Sequence, residues 1–238
     1  MQRIFCRNHG FEGFKDDTDV DESGERKSEK SFNPSNLRFR QDDGSEFPEW
    51  EEKSLGEVAE LTSSKRVYSS DYVSVGIPFY RGKEISELKL NIAPTDILYI
   101  SEKAYLEFKE TYGVPKINDI LMTAVGTLGN VLRIKNNDPF YFKDGNLIWF
   151  RDIKESSSFL EILFEINKEE INKISIGSTQ RALTMVELRK LVFKFPSLPE
   201  QIKIASFLSA IDENIANITN QLTLTEQWKK GLLQKMFV

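Results

Sequence analysis

The sequence predicts an α+β domain followed by one long C-terminal helix that seeks a partner helix. Three observations carry this. Short β-rich runs and a few helical stretches alternate without the regular strand-helix-strand beat of a doubly wound sheet. Apolar residues then recur at Ile204, Leu208, Ile211, Ile215, Ile218 and Leu222, the 3.5-residue period of a coiled-coil seam. A single Cys6 and a single His9 exclude disulfide frameworks, Cys/His zinc sites and histidine-dependent nucleophile triads within one chain, so the body is expected to fold and work without them.

Residues 1–46 are expected to be an acidic, mobile leader. Gly13 to Gly44 is rich in Asp, Glu, Ser, Lys and Gly, and its few large apolar side chains cannot repay the entropy of ordering. Charge is unevenly spread: residues 12–60 carry 16 acidic and 7 basic side chains, net −9, whereas residues 61–238 carry 21 and 23, net +2. The overall net charge of −5 therefore hides a body that is free to present a positive face. No run of 18 apolar residues and no apolar segment with a cleavage site occurs, which predicts a soluble, unexported, cytoplasmic protein with no membrane contact.

The globular domain is expected over residues 47–196, opening at Phe47 with Trp50, Leu55 and Val58 as anchors. Strand-like runs follow at Val73 to Arg81, Ile97 to Ile100, Ile117 to Val125, Val131 to Ile134, Asn146 to Arg151 and Leu191 to Phe195. Ser101 caps a helix over Glu102 to Thr111, Ser158 to Ile171 reads as a largely buried helix, and Thr184 with Glu187 forms a capping box. Residues 197–238 form the long helix, with Ser197 and Glu200 as a second capping box and Pro199 in the first turn. At about 1.5 Å per residue its stretch from Glu200 to Phe237 spans roughly 57 Å, more than this domain's own core requires. Thr225 and Lys229 interrupt its seam.

Several tracts have residues suited to nucleic acid. In Met122 to Asn130 two glycines three apart stand between strand-like runs; a phosphate-cradling loop would open a helix, so a tight hairpin is the better local account. The polar loop Gly177-Ser178-Thr179-Gln180-Arg181 fits either a surface turn or a phosphate contact through hydroxyls, backbone N–H groups and one Arg. Lys65 and Arg66, and Arg81 and Lys83, lie near expected loops; exposed cations are commonly only solvated surface, but Arg matches guanine in two places and Lys suits phosphate. Asn137-Asp138-Pro139-Phe140 lacks the second proline of a methyltransferase adenine-holding motif, and no glycine-rich S-adenosylmethionine loop precedes it. A turn is expected there. Trp149 reads as core, and Asp96, Asp119, Asp144 and Asp152 as turn or strand-edge residues.

The tract from Leu198 to Ile215, beginning Leu198-Pro199-Glu200-Gln201-Ile202, closely resembles the conserved-region helix of specificity subunits of type I restriction-modification systems. Trp228 to Phe237 resembles the far end of that region. Trp50 followed by Leu55-Gly56-Glu57, the tract from Asp119 through Thr123 to Gly126-Thr127 and Gly129, and the Gly177-Ser178 loop agree with the family's DNA-reading domain. The resemblance covers approximately residues 47–238. It implies a mixed-sheet target recognition domain joined to a dimerisation helix, in a half-size form with one of each where a full-length member has two.

The resemblance further implies a non-catalytic DNA-recognition subunit that binds no cofactor itself. Its implied partners are double-stranded DNA, a methyltransferase subunit using S-adenosylmethionine, an ATP-driven translocating nuclease subunit, and a second copy or another half-specificity subunit paired through Ile204 to Leu222. Lys65, Arg66, Arg81, Lys83, Thr127, Asn130, Ser178, Thr179, Gln180 and Arg181 are the DNA-facing candidates. The competing expectation is a coiled-coil interaction module without a DNA role.

Overall fold

A computed structural model describes residues 38–178 and 180–237. Cys6, His9, Thr179 and most of the expected leader lie outside them. The described part of that leader forms a small hairpin: Arg40 bridges Glu46, Phe39 meets Phe207 edge-on, and the Lys203 ammonium donates to the Arg40 carbonyl and the Asp42 carboxylate.

The domain begins with β1 (Glu51–Ser54), α1 (Leu55–Val58) and β2 (Glu60–Thr62). It continues through β3 (Tyr72–Val73), β4 (Ile77–Tyr80), α2 (Gly82–Lys89), β5 (Leu98–Ile100) and α3 (Glu102–Thr111). The central hairpin is β6 (Ile120–Thr123) and β7 (Val131–Arg133), followed by β8 (Tyr141–Phe142) and β9 (Leu147–Arg151). α4 (Ser157–Ile166), α5 (Lys168–Lys173), α6 (Met185–Lys190), β10 (Val192–Phe195) and α7 (Leu198–Met236) complete the chain.

Strands β2-β9-β6-β7 make an antiparallel sheet, and β3-β5-β4-β8 a mixed one in which β4 and β8 run parallel. A two-stranded ribbon pairs β1 with β10, so the first and last strands of the domain close on each other. β6 and β9 are covered on both faces, which explains why they read as continuous apolar runs. Alternate residues go to opposite sides. Ile120, Met122, Ile148 and Phe150 face α4 through Phe159, Leu160, Leu163 and Phe164, while Leu121, Leu147 and Trp149 face Ile85 of α2, Phe140 and Phe142. A further cluster of Phe79, Ile100, Tyr105 and Tyr141 fills the mixed sheet.

Several expectations need correction. Val73 to Arg81 is not one strand: Gly76 bends it where a Cβ would come within 2.2 Å of the Ile100 carbonyl oxygen, and Arg81 is already the residue before α2. The buried helix breaks at Asn167, whose amide donates to the Leu163 carbonyl at 2.8 Å, competing with the helix ladder. Trp50 is 39% exposed and touches Phe159 edge-on, leaving Leu55 and Val58 as the true anchors. Ser197 precedes α7 as expected, yet its hydroxyl is buried without a hydrogen bond and makes no cap.

Gln201 anchors the helix root instead. Its carbonyl accepts from the Ser156 backbone at 2.9 Å, and its amide donates to Glu155 and to the Pro196 carbonyl at 2.7 and 2.9 Å. Ala205 is buried against the core and Ile204, expected in the pairing seam, packs there too. Beyond this root the helix leaves the domain. Ile211, Ile215, Ile218 and Leu222 are exposed, and so are Trp228, Leu233, Met236 and Phe237. Thr219, Thr223 and Thr225 satisfy their hydroxyls on carbonyls one turn back, which lets polar residues sit in the shaft. Among the described residues no helix is long and apolar enough to cross a membrane.

Candidate nucleic-acid interface

Antiparallel pairing aligns Thr62 with Trp149, Thr123 with Leu147 and Met122 with Val131. The loop leaving β2, the loop entering β9 and the β6–β7 connection therefore emerge at one end of the sheet. The 63–66 segment is tied there by Ser63 Oγ donating to the Leu147 carbonyl, Ser64 Oγ donating to the Phe142 carbonyl, and the Lys65 amide donating to the Tyr141 hydroxyl. Ala124 N donates to Asn146 O at 2.8 Å, joining the next two loops. Val125 bridges Ala182, and Leu183 N donates to Ala124 O, which brings in the 177–182 loop.

Gly177 is required in that loop. Its φ is +106°, and a Cβ would stand 2.3 Å from the Gln180 carbonyl oxygen. Ser178, Gln180 and Arg181 are exposed, and Arg181 donates to the Asn172 carbonyl at 2.9 Å. The Ser86 hydroxyl meets that of Thr127 and adds the start of α2, so the structure brings five short segments, far apart in sequence, onto one rim. Sequence-predicted Lys65, Arg66, Arg81, Lys83, Thr127, Asn130, Ser178, Gln180 and Arg181 all belong to them.

Their side chains are not equally available. Lys65 is exposed, its ammonium 5.4 Å from the centre of the Tyr112 ring. Arg66 pairs with Asp144 at 2.9 Å while remaining 65% exposed, and that carboxylate raises its already high pKa. Arg81 is committed more deeply: its guanidinium grips the fully buried Glu84 at 2.5 Å and also reaches the Asp96 carbonyl and carboxylate. Burial pushes the Glu84 carboxyl up, but hydrogen bonds from the Arg81 side chain and backbone outweigh it and hold the group below the usual range. Arg81 is a structural tie in this conformation, and Lys83, 3.7 Å from Glu87, is the freer cation beside it.

A groove of about 560 Å³ runs between the start of α2 and the β6–β7 loop, lined by Arg81, Lys83, Ser86, Gly126, Thr127 and Asn146 among others. Thr127 and Ser86 hydroxyls lie 3.2 Å apart across it; behind them Asn130 Nδ2 donates to Ser86 Oγ at 2.8 Å, and the Lys168 ammonium donates to Asn130 Oδ1. Desolvation, with Lys89 nearby, holds the Lys168 pKa below its ordinary value. Ser86 escaped the sequence reading because α2 itself did, and Lys168 and Asn146 because only the fold brings α5 and the loop before β9 to this groove. Its N-terminal signal was present in disguise: Glu84 accepts from the Arg81 backbone N–H at 2.7 Å, the acidic half of a capping box with an Arg where a Ser or Thr is expected. Among the described residues no group of three or more His, Cys, Asp or Glu is placed to hold a metal ion.

Residues 48–226 match the type I restriction modification DNA specificity domain. A putative type I restriction enzyme specificity subunit of Haemophilus influenzae is 32% identical over 182 residues, covering 74% of this chain and 44% of that protein. The MjaIX specificity subunit of Methanocaldococcus jannaschii is 28% identical over 209 residues, covering 84% of this chain and 46% of the relative. The chain spans somewhat less than half the length of the curated relatives it matches. A chain of a type I R-M system, solved for its complex assembly and conformational transition, superposes with a TM-score of 0.57 at 21% identity over 81% of this chain and 46% of its own. The S subunit of the M. genitalium type I restriction-modification system superposes with a TM-score of 0.52 at 15% identity, over 77% and 43% respectively. These two likenesses concern the fold. The family match over residues 48–226, together with a relative 32% identical over 74% of the chain, places this chain in the type I restriction-modification DNA specificity family.

Proposed function

We propose that this chain is a half-size, non-catalytic specificity subunit that reads one half of a split duplex-DNA target. The observation that carries the reading is the convergence of the 63–66, 81–87, 124–130, 143–146 and 177–182 segments at one end of the β2-β9-β6-β7 sheet, with Lys65, Arg66, Lys83 and Arg181 at the solvent side. Phosphate contacts position such a surface and groove-facing polar groups read bases. The exposed apolar stripe of α7 from Ile211 to Leu222 pairs with the antiparallel helix of a second copy or of another half-specificity subunit, giving two readers related by a two-fold axis. A helix of about 58 Å sets roughly 17 base pairs as the upper reach between them. Modification and cleavage then belong to partners: a methyltransferase subunit using S-adenosylmethionine and an ATP-driven translocating nuclease subunit, all cytoplasmic.

Duplex binding measured across a salt series tests the DNA reading, because counterion release makes log K fall linearly with log salt. A steep fall is expected. Methylation mapping in cells carrying only this system is expected to return a bipartite motif, palindromic if two identical chains pair. A continuous motif would sink the two-reader arrangement.

The runner-up, a coiled-coil interaction module without DNA, draws on one observation: Arg66 and Arg81 are already paired with acids. Absence of duplex binding even with the methyltransferase present would select it.

A further inference from the structure

The groove beside α2 contains a chain of hydrogen bonds that meet at the Ser86 hydroxyl. Lys168 Nζ can only donate, so Asn130 must present Oδ1 to it, at 2.5 Å, and turn Nδ2 the other way. Nδ2 can likewise only donate, and it does so to Ser86 Oγ at 2.8 Å. Ser86 has one proton, held by the Gly82 carbonyl at 2.8 Å, one turn back in α2. Both lone pairs of Ser86 are then claimed: one by Asn130, the other by Thr127, 3.2 Å away. Thr127 must therefore donate inward. Its hydroxyl is left with lone pairs alone for whatever enters the groove, in a residue that is exposed.

The backbone that carries Thr127 is held independently of this chain. Thr123 Oγ1 donates to the Thr127 carbonyl and accepts from Asn130 N at 2.9 Å, while Gly129 N returns to the Thr123 carbonyl at 2.9 Å. The acceptor is thus presented from a braced turn.

We propose that Thr127 is a base-discriminating residue that accepts a hydrogen bond from the exocyclic amino group of adenine or cytosine in the major groove, and that Ser86, whose one proton is held by the Gly82 carbonyl, is the positioning residue that sets this polarity. On the strand an acceptor faces, adenine N6 and cytosine N4 donate, whereas guanine O6 and thymine O4 present only lone pairs and are repelled. The inference rests on the DNA-reading function proposed above and deepens it. It assigns one position of the half-site to an amino-bearing base, with Asn130 and Ser86 as relays that never touch DNA.

Selection from a random-sequence duplex library by the full chain, followed by sequencing of the bound fraction, tests it. The wild type is expected to hold one position to adenine or cytosine on one strand, by roughly tenfold, the worth of one hydrogen bond of about 1.4 kcal/mol. Thr127→Val, near in shape but without the acceptor, is expected to lose that preference at that position alone, with its salt dependence and melting temperature unchanged. Ser86→Ala removes the acceptor that holds the Thr127 proton inward and is expected to admit guanine and thymine at the same position, while Ser86→Thr keeps the restriction. If the wild type selects a motif and Thr127→Val selects the same one, the assignment to Thr127 is wrong and the DNA-reading function stands. Relaxation at several positions in Ser86→Ala, or loss of its folding, while Thr127→Val relaxes one position alone, would make Ser86 merely structural. A wild type that selects no motif overturns this inference together with the function it rests on.

Discussion

Asp119 illustrates how a single buried carboxyl links the sequence motif to stability. Its Oδ2 accepts from Trp149 Nε1 and from Lys116 N, both at 2.9 Å, which locks the turn before β6 and gives the indole its polar partner. Burial is the dominant influence and pushes its pKa above the ordinary 3.8, against the lowering effect of those hydrogen bonds. A carboxyl whose folded-state pKa is raised binds its proton more tightly when folded, so stability is lost as pH climbs from 3.8 through the raised value. Asp119→Asn keeps an acceptor for both donors and cannot ionise. It is expected to melt above the wild type at pH 7, with the advantage closing as pH is brought below 3.8; parallel melting curves across that window would show that the buried charge is not a cost. Both roles were partly legible in sequence, where Trp149 read as core and Asp119 as a turn residue. Their mutual bond was not, because it joins positions 30 apart that only the pairing of β6 with β9 brings together.

Among the elements, the ones whose signals are local were legible. Ser101 and Thr184 cap their helices through the hydrogen bonds expected of them, to Ala104 N and Glu187 N, and the β6–β7 hairpin forms where the glycines placed it. α2 was missed because its opening residue is Arg81, and the split of α4 from α5 because Asn167 acts through a side-chain contact that apolar periodicity cannot register. The seam of α7 was legible, but not where it changes owner. Its first positions serve the domain core and its later ones solvent. The substitutions Ile211→Asp and Ile215→Asp, at residues 39% and 57% exposed, are therefore expected to shift the domain's unfolding free energy by no more than about 0.5 kcal/mol while converting the pair proposed above to a single chain by light scattering. Ala205→Asp, at a residue 4% exposed, places a charge in the core and is expected to cost about 3 kcal/mol or more in urea unfolding. Equal damage from both would mean that the shaft is part of the core after all.

On the scale of the whole molecule, a chain with net charge −5 presents a rim where exposed cations gather. Lys83 and Arg181 stand on different segments of that rim, and neither holds the fold together: Lys83 meets Glu87 at 3.7 Å, and Arg181 meets one carbonyl. Each truncation to Ala is expected to weaken duplex binding about uniformly across sequences and to reduce the salt slope by about one. A change in motif with an unaltered slope would reassign the residue from phosphate to base. The long helix adds a mechanical aspect. Gln201 clamps it to the Ser156 backbone, the Glu155 carboxylate and the Pro196 carbonyl just where β10 ends, and the β1–β10 ribbon ties that joint to the first strand of the domain. α7 is then a cantilever built in at one end, and over about 58 Å each degree of play at the joint moves the free tip by roughly 1 Å. A few ångströms at the tip is a whole base-pair step, so the sharpness with which such a lever could measure distance along a duplex rests on a root of a few residues, the Gln201 hydrogen bonds and the packing of Ile204 and Ala205 among them.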